Sequence, residues 1–293
     1  MPTCVLRAAL SQLPINIRCY SMCMNREVVQ NIQYGHRNIS VSSPNYREQV
    51  AAWTGRLLNR EQCVPDGYRF TWKSENGTSS NTAYMYDATM CNVQYAQSQL
   101  HKAATLIGKR GYDTCIDAAR TYMHIAQDIM PLWTFRPREL YEIVDTTPAD
   151  IYGHYYLARA MAYANVGRAD LTCPRTAHIV AYSNAAHLYA AAAQLISGDT
   201  SNMLRLSQVY TGRVLRMRGD AFLEAWDADN DEEGAAKGLA CYKEAHQRLI
   251  DNGHPGCTDK VVFATERNGV HWLEPILPEW KSLVKARITA LPI

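Results

Sequence analysis

No proline interrupts the chain from Arg175 to His254, and no other feature constrains the fold as strongly. Proline inside a helix removes a backbone hydrogen bond and its ring clashes with the carbonyl one turn back, so its absence leaves long helices free to run. Ser197-Gly198-Asp199 and Asp227-Ala228-Asp229-Asn230-Asp231 punctuate that stretch. The spacing predicts three helices of roughly 20 residues each, joined by short polar turns.

The same reading extends upstream. Tyr112, Cys115, Ile116, Ala119, Tyr122, Met123, Ala126 and Ile129 recur at three- and four-residue steps, the mark of one buried helical stripe. A further helix is predicted from Ala149 to Val166, with Thr147 as N-cap, Pro148 at its first position, Asp150 in its first turn and Gly167 at its end. Thr82 to Leu106 reads as a helix carrying Tyr84, Ala88, Cys91, Tyr95 and Ser98 on one face, and Gly108-Lys109-Arg110-Gly111 turns it into the 112–129 helix. Before it, Gly67 to Lys73 alternates in polarity and runs into Glu75-Asn76-Gly77-Thr78, a hairpin signal that predicts a small strand pair near residues 67–80. Successive helix pairs with Ala and Tyr at contact positions point to a mainly α fold, an elongated tetratricopeptide-like solenoid without a strict 34-residue period.

Length and an apolar content of 47% suffice for a sizeable core, and no linker divides the chain, so residues 1–293 read as one domain. Thirty basic residues against twenty-eight acidic ones leave a net charge of +2, too small to signal a nucleic-acid binder. Four Phe beside 18 Tyr and 6 Trp, with Ala-rich stretches, suit helices packed closely through small residues with aromatic fillers. The nine cysteines are odd in number and never form Cys-x-x-Cys, so the sequence signals neither a disulfide framework nor a zinc site. The opening segment carries Arg7 and Arg18 and its few apolar residues are broken by Gln12 and Pro14, which falls short of a secretory signal, and no run of eighteen apolar residues predicts a membrane span. A cytoplasmic protein is the expectation, and the sequons at Asn38 and Asn76 lose their meaning there.

Several constellations fall short of chemistry. Asp227-Ala228-Asp229-Asn230-Asp231 starts like a calcium loop, but the sixth position is Glu232 where Gly is needed and the twelfth is Gly238 where a bidentate Glu is needed. His178 and His187 sit nine residues apart, off the i, i+4 spacing that two ligands on one helix face require. No Gly-x-Ser-x-Gly, Walker loop or dinucleotide turn is present, and Gly108-Lys109-Arg110-Gly111 lacks the preceding strand of a phosphate loop. The expectation is a non-enzymatic chain with no cofactor and no metal. Arg205, Arg213, Arg216 and Arg218 enrich one helix in positive charge, which reads as a solvated face or as a peripheral contact with anionic lipid or an acidic partner.

Taken in order, Phe70-Thr71-Trp72-Lys73, then Tyr84, Asn92, Ser98 and Gln99, then Arg110-Gly111-Tyr112, Asp145-Thr146-Thr147-Pro148 and Leu157-Ala158-Arg159-Ala160 resemble the Bro-one domain, the Alix-type adaptor family. Glu266-Arg267-Asn268, His271-Trp272, Pro278 and Ser282 to Lys285 resemble the family's closing stretch, so the resemblance covers roughly residues 60–288. Within it, Phe70, Trp72, Tyr84, Asn92, Ser98, Gln99 and Leu157 are structural motif positions. Residues 1–60 are a divergent, shortened N-terminal part, and 253–293 form a tail, with a short helix near Lys260 to Thr265, that packs back on the body.

The resemblance implies an adaptor of endosomal sorting or membrane remodelling that binds the C-terminal amphipathic helix of an ESCRT-III subunit in an apolar groove. Helix-in-groove recognition needs exposed apolar anchors. By motif, Ile179 falls on a groove position, Leu239 and Tyr242 fall on two more, Ala164 replaces a Phe, and Ser183, or Tyr182 one residue earlier, replaces a Leu. Losing two bulky anchors removes about 1.5–3 kcal/mol of burial each. The alternative is a peptide-binding module of the same fold with an unrelated signalling or scaffold partner. Recruitment to endosomal membranes belongs to the first reading.

Overall fold

Burial of one apolar stripe per helix organises the chain, and the computed structural model describes it at residues 43–58, 70–74, 77–81, 84–132, 146–169, 174–229 and 232–267. The elements are α1 (Tyr46–Leu58), β1 (Phe70–Ser74), β2 (Gly77–Asn81), α2 (Tyr84–Ala104), α3 (Lys109–His124), α4 (Pro148–Ala169), α5 (Arg175–Leu195), α6 (Ser201–Asp229), α7 (Glu232–Asp251) and α8 (Thr258–Arg267). The described residues are thus mainly helical. Residues 1–42 with the first sequon, the segment 59–69, Asn76 of the second sequon and the closing stretch from 268 onward lie outside the described residues.

Two compact units share the chain: one takes Met1–Thr172 and His187–Leu204, the other Cys173–Ala186 and Arg205–Ile293. In the first, Tyr46 meets Gln94 and Tyr95 while Trp53 meets Asp87, so α1 and α2 run antiparallel. β1 and β2 pair antiparallel in the register Phe70 with Asn81 through Ser74 with Gly77. Phe70 and Trp72 of β1 are buried in the core with Val50, Trp53, Leu57, Tyr86, Cys91 and Leu100.

The stripe on α3 lies where its periodicity points. Cys115, Ala119, Tyr122 and Ile129 are buried, and Tyr112, Ile116 and Ala126 pack partly buried against the same core. α3 starts at Lys109, with Gly108 at φ 76°, so Lys109-Arg110-Gly111 forms its first turn and only Thr105 to Gly108 connect it to α2. Gly111 is needed there because a Cβ would stand 2.9 Å from Asn165 Nδ2 and 3.0 Å from the Leu106 carbonyl. Beyond His124 the helix widens into a π-helical turn over Ile125–Ile129. At the start of α4 the Asp150 amide donates to Thr147 Oγ1 at 3.1 Å, the N-cap expected from Thr147-Pro148.

In the second unit the proline-free stretch supplies α6 from Arg205 onward, α7 and the first part of α5. α6 is longer than its punctuation predicts: it continues through Asp227 to Asp229, leaving residues 230–231 between it and α7. Once a helix is nucleated each added residue gains a hydrogen bond, which outweighs the weak helix preference of aspartate. α7 ends with Gly253 at φ 71°, the Gly253 amide donating to Ile250 and the His254 amide to Leu249, a Schellman closure. α8 then contributes Val261 and Ala264 to a core with Leu223, Leu239, Tyr242, Ala245 and Cys257.

Candidate functional site

The positions taken from the groove motif are mostly interior. Leu239 is 4% exposed and Tyr242 1%, both inside the core of the second unit. The Tyr242 hydroxyl donates to Asp220 Oδ1 at 2.6 Å, and Lys260 Nζ lies 2.9 Å from the same oxygen. Burial and that bond together push the Tyr242 phenol far above its usual range. Tyr182 is buried against Tyr210, ring centroids 5.4 Å apart, with the Arg213 guanidinium over both rings. Ala164 is buried in the first unit.

These four side chains face inward, so they are not presented as anchors, because filling the helix interfaces of their own units consumes the apolar surface a partner would need. Ile179 and Ser183 are half-buried on α5, where Val180 is 59% exposed. Arg175 and Glu224 form a two-pronged ion pair that holds the start of α5 to α6.

The structural motif positions instead lie mostly buried in the first unit, where Asp87 and Asn92 each hold a small polar network. Asp87, wholly buried, accepts hydrogen bonds from Trp53 Nε1 at 2.8 Å and Trp72 Nε1 at 2.7 Å. Asn92 Nδ2 donates to Thr54 Oγ1 and to the Ala88 carbonyl, each at 2.8 Å, and Ser98 donates to the Tyr95 carbonyl at 2.6 Å. Phe70, Trp72, Asn92, Ser98 and Leu157 are all buried, and Gln99 is half-buried. Tyr84 opens α2. Desolvation, and then the charge of Asp87, push the Cys91 thiol well above its usual range. Desolvation likewise raises Cys115 to about 12, against a smaller lowering from Asn165.

A cleft of about 480 Å³ opens beside this network between α1 and α3, with α2 as its floor. Arg47, Val50, Ala51, Thr54 and Gly55 line it from α1, Asn92 and Tyr95 from α2, and Asp117, Arg120, Thr121 and His124 from α3. Both helical walls follow the i, i+3, i+4, i+7 spacing of a single face. At one end both Asp117 oxygens are engaged: Tyr95 donates to Oδ2 at 2.5 Å and Arg47 lies 3.2 Å from Oδ1. At the other end His124 Nδ1 sits 2.6 Å from Asp128 Oδ2 within the π-helical turn.

Sequence reasoning missed this cleft because α1 lies in the segment treated as divergent. The signal available was the matched spacing 47, 50, 51, 54 and 117, 120, 121, 124. Among the described residues no cluster of His, Cys, Asp and Glu could hold a metal ion, and no helix is long and apolar enough to cross a membrane. The chain matches no family model and no curated protein.

Proposed function

We propose that this chain is a non-enzymatic adaptor domain of the Bro-one kind, a tetratricopeptide-like stack of antiparallel helix pairs whose partner is the C-terminal amphipathic helix of an ESCRT-III subunit. The observation that carries the reading is the convergence of Phe70, Trp72, Asn92 and Ser98, the residues that resemble the family's motifs, in one buried region with Asp87 and Thr54. Motif residues with a shared structural task are what a scaffold needs. The non-enzymatic part draws on the commitment of polar groups to the fold: Asp87 serves two indoles, Asp150 and His154 serve each other, and burial raises the Cys91 and Cys115 thiols.

On this reading the docking face includes Ile179 and the exposed Val180 of α5, and the protein works in the cytoplasm at endosomal membranes, reached through its partner or through the exposed Arg216 and Arg218. Isothermal titration of the intact chain against C-terminal helix peptides of ESCRT-III subunits tests it. Micromolar binding abolished by Ile179→Asp supports the proposal; a folded chain that binds none of the peptides removes it.

One observation favours a second reading, a peptide-binding module of the same fold with an unrelated signalling or scaffold partner. Leu239, Tyr242 and Tyr182 are buried within the second unit, so they offer no apolar surface to an ESCRT-III helix. A pull-down partner that is not an ESCRT-III subunit and is released by Ile179→Asp would establish that alternative.

A further inference from the structure

The cleft between α1 and α3 is shaped by what α1 omits. Ala51 and Gly55 line it, and a Cβ built on Gly55 meets nothing within 4 Å. Bulky residues at those two positions would close the space between the helices. Its volume of about 480 Å³ lies within the roughly 300–1,000 Å³ typical of small-molecule sites.

The lining divides by chemistry. Val50, Ala51 and Gly55 form a compact apolar wall on α1, and Thr54, Asn92 and Thr121 supply hydrogen-bonding groups beside it. The ionic groups are unequal. Arg47 and Asp117 neutralise each other across the cleft, and Tyr95 occupies the second Asp117 oxygen. Arg120 has no ion pair or hydrogen bond among the described residues, and it is exposed. His124, one turn further along, has its Nδ1 held by Asp128.

An uncommitted guanidinium one turn from an imidazole, facing an apolar wall, matches an oxyanion carried on a small hydrophobic body. A guanidinium presents paired N–H donors that fit phosphate and carboxylate oxygens. The π-helical turn that closes α3 carries Asp128, which fixes the His124 ring at the end of the cleft.

We propose that this cleft is a binding site for a small organic oxyanion, a phosphate monoester with a compact apolar group, held by Arg120 with His124 beside it and seated against Ala51 and Gly55. The site is separate from the α5 face assigned above to a partner helix and stands without that assignment. Arg120 is the affinity-determining residue, and Gly55 is the residue that keeps the space open.

Phenyl phosphate is the probe, titrated into the isotope-labelled intact chain in phosphate-free buffer and followed by amide NMR shifts. The expected result is saturable shifts confined to α1, the middle of α2 and the second half of α3. Arg120→Gln weakens binding by about tenfold or more, the loss of one charge-assisted contact. Phenol, the same ring without the anion, binds weaker by a similar factor. Gly55→Leu, which places a side chain in open space on an intact helix, abolishes the response while the remaining spectrum is retained. Absence of saturable shifts, shifts elsewhere on the chain, equal binding of phenol, or unchanged binding by Gly55→Leu or Arg120→Gln would each overturn the assignment.

Discussion

Two tryptophan indoles share one carboxylate in the interior of the first unit, and that arrangement concentrates more risk in Asp87 than in any apolar residue near it. Each indole N–H left without an acceptor costs about 1–3 kcal/mol. Asp87→Ala is therefore expected to lower unfolding free energy by about 2–6 kcal/mol, read from urea denaturation followed by tryptophan fluorescence. Trp53→Phe, which removes one donor and keeps the apolar ring, is the milder control.

His246 carries a pH signature. Its Nδ1 accepts the Cys257 amide at 3.1 Å, and desolvation by burial lowers its pKa below the ordinary 6.5. The unfolded chain binds this proton more readily, so the stabilisation is complete above pH 6.5 and is lost as pH falls from there through the lowered folded value. Denaturation midpoints measured between neutral and mildly acid pH should fall with pH, and His246→Gln should flatten that slope. Among single residues, the Thr147 cap was legible from its neighbours, because capping is local. Asp87 was not, because Trp53 lies 34 residues away and only the tertiary fold brings it within 2.8 Å.

Helix pairs in the second unit approach closely through a repeat of small residues. A Cβ on Gly212 would meet Leu249 at 3.1 Å, and one on Gly219 would meet the Tyr242 ring at 2.8 Å. Gly238 and Ala245 stand opposite them on α7, which lets the two backbones come together. Gly219→Ala should destabilise the protein by about 1–3 kcal/mol from overpacking, although Ala favours a helix by about 1 kcal/mol. Gly55→Ala on α1 meets open space and should instead stabilise by up to about 1 kcal/mol. Thermal unfolding of the two variants side by side checks the opposite signs. Apart from α1, the helices were legible from period and punctuation, whereas the end of α6 and the π-helical turn after His124 were not. Helix ends depend on packing that periodicity does not encode, and a π turn keeps the same residue types while shifting one hydrogen bond.

At the scale of the molecule, two positions assigned to one groove separate into two physical classes. Leu239→Asp introduces a charge into the core of the second unit and is expected to destabilise it by more than about 3 kcal/mol, seen as an early unfolding transition in circular dichroism. Ile179→Asp on half-buried α5 should leave the fold within about 1.5 kcal/mol of the parent, so that its effect on peptide binding can be read cleanly. Both tests use the intact chain.

By itself the sequence determined that this protein is mainly helical, where most of its helices run, and which stripe of α2 and α3 is apolar, because proline exclusion, capping and the 3.6-residue period act over a few neighbouring residues. Only the tertiary structure decided that Leu239, Tyr242 and Tyr182 are core, that Asp87 joins two tryptophans, and that Ala51 and Gly55 leave a cleft. Whether an apolar stripe meets another helix of the chain or remains for a partner depends on contacts between residues far apart in sequence, and periodicity is identical in the two cases.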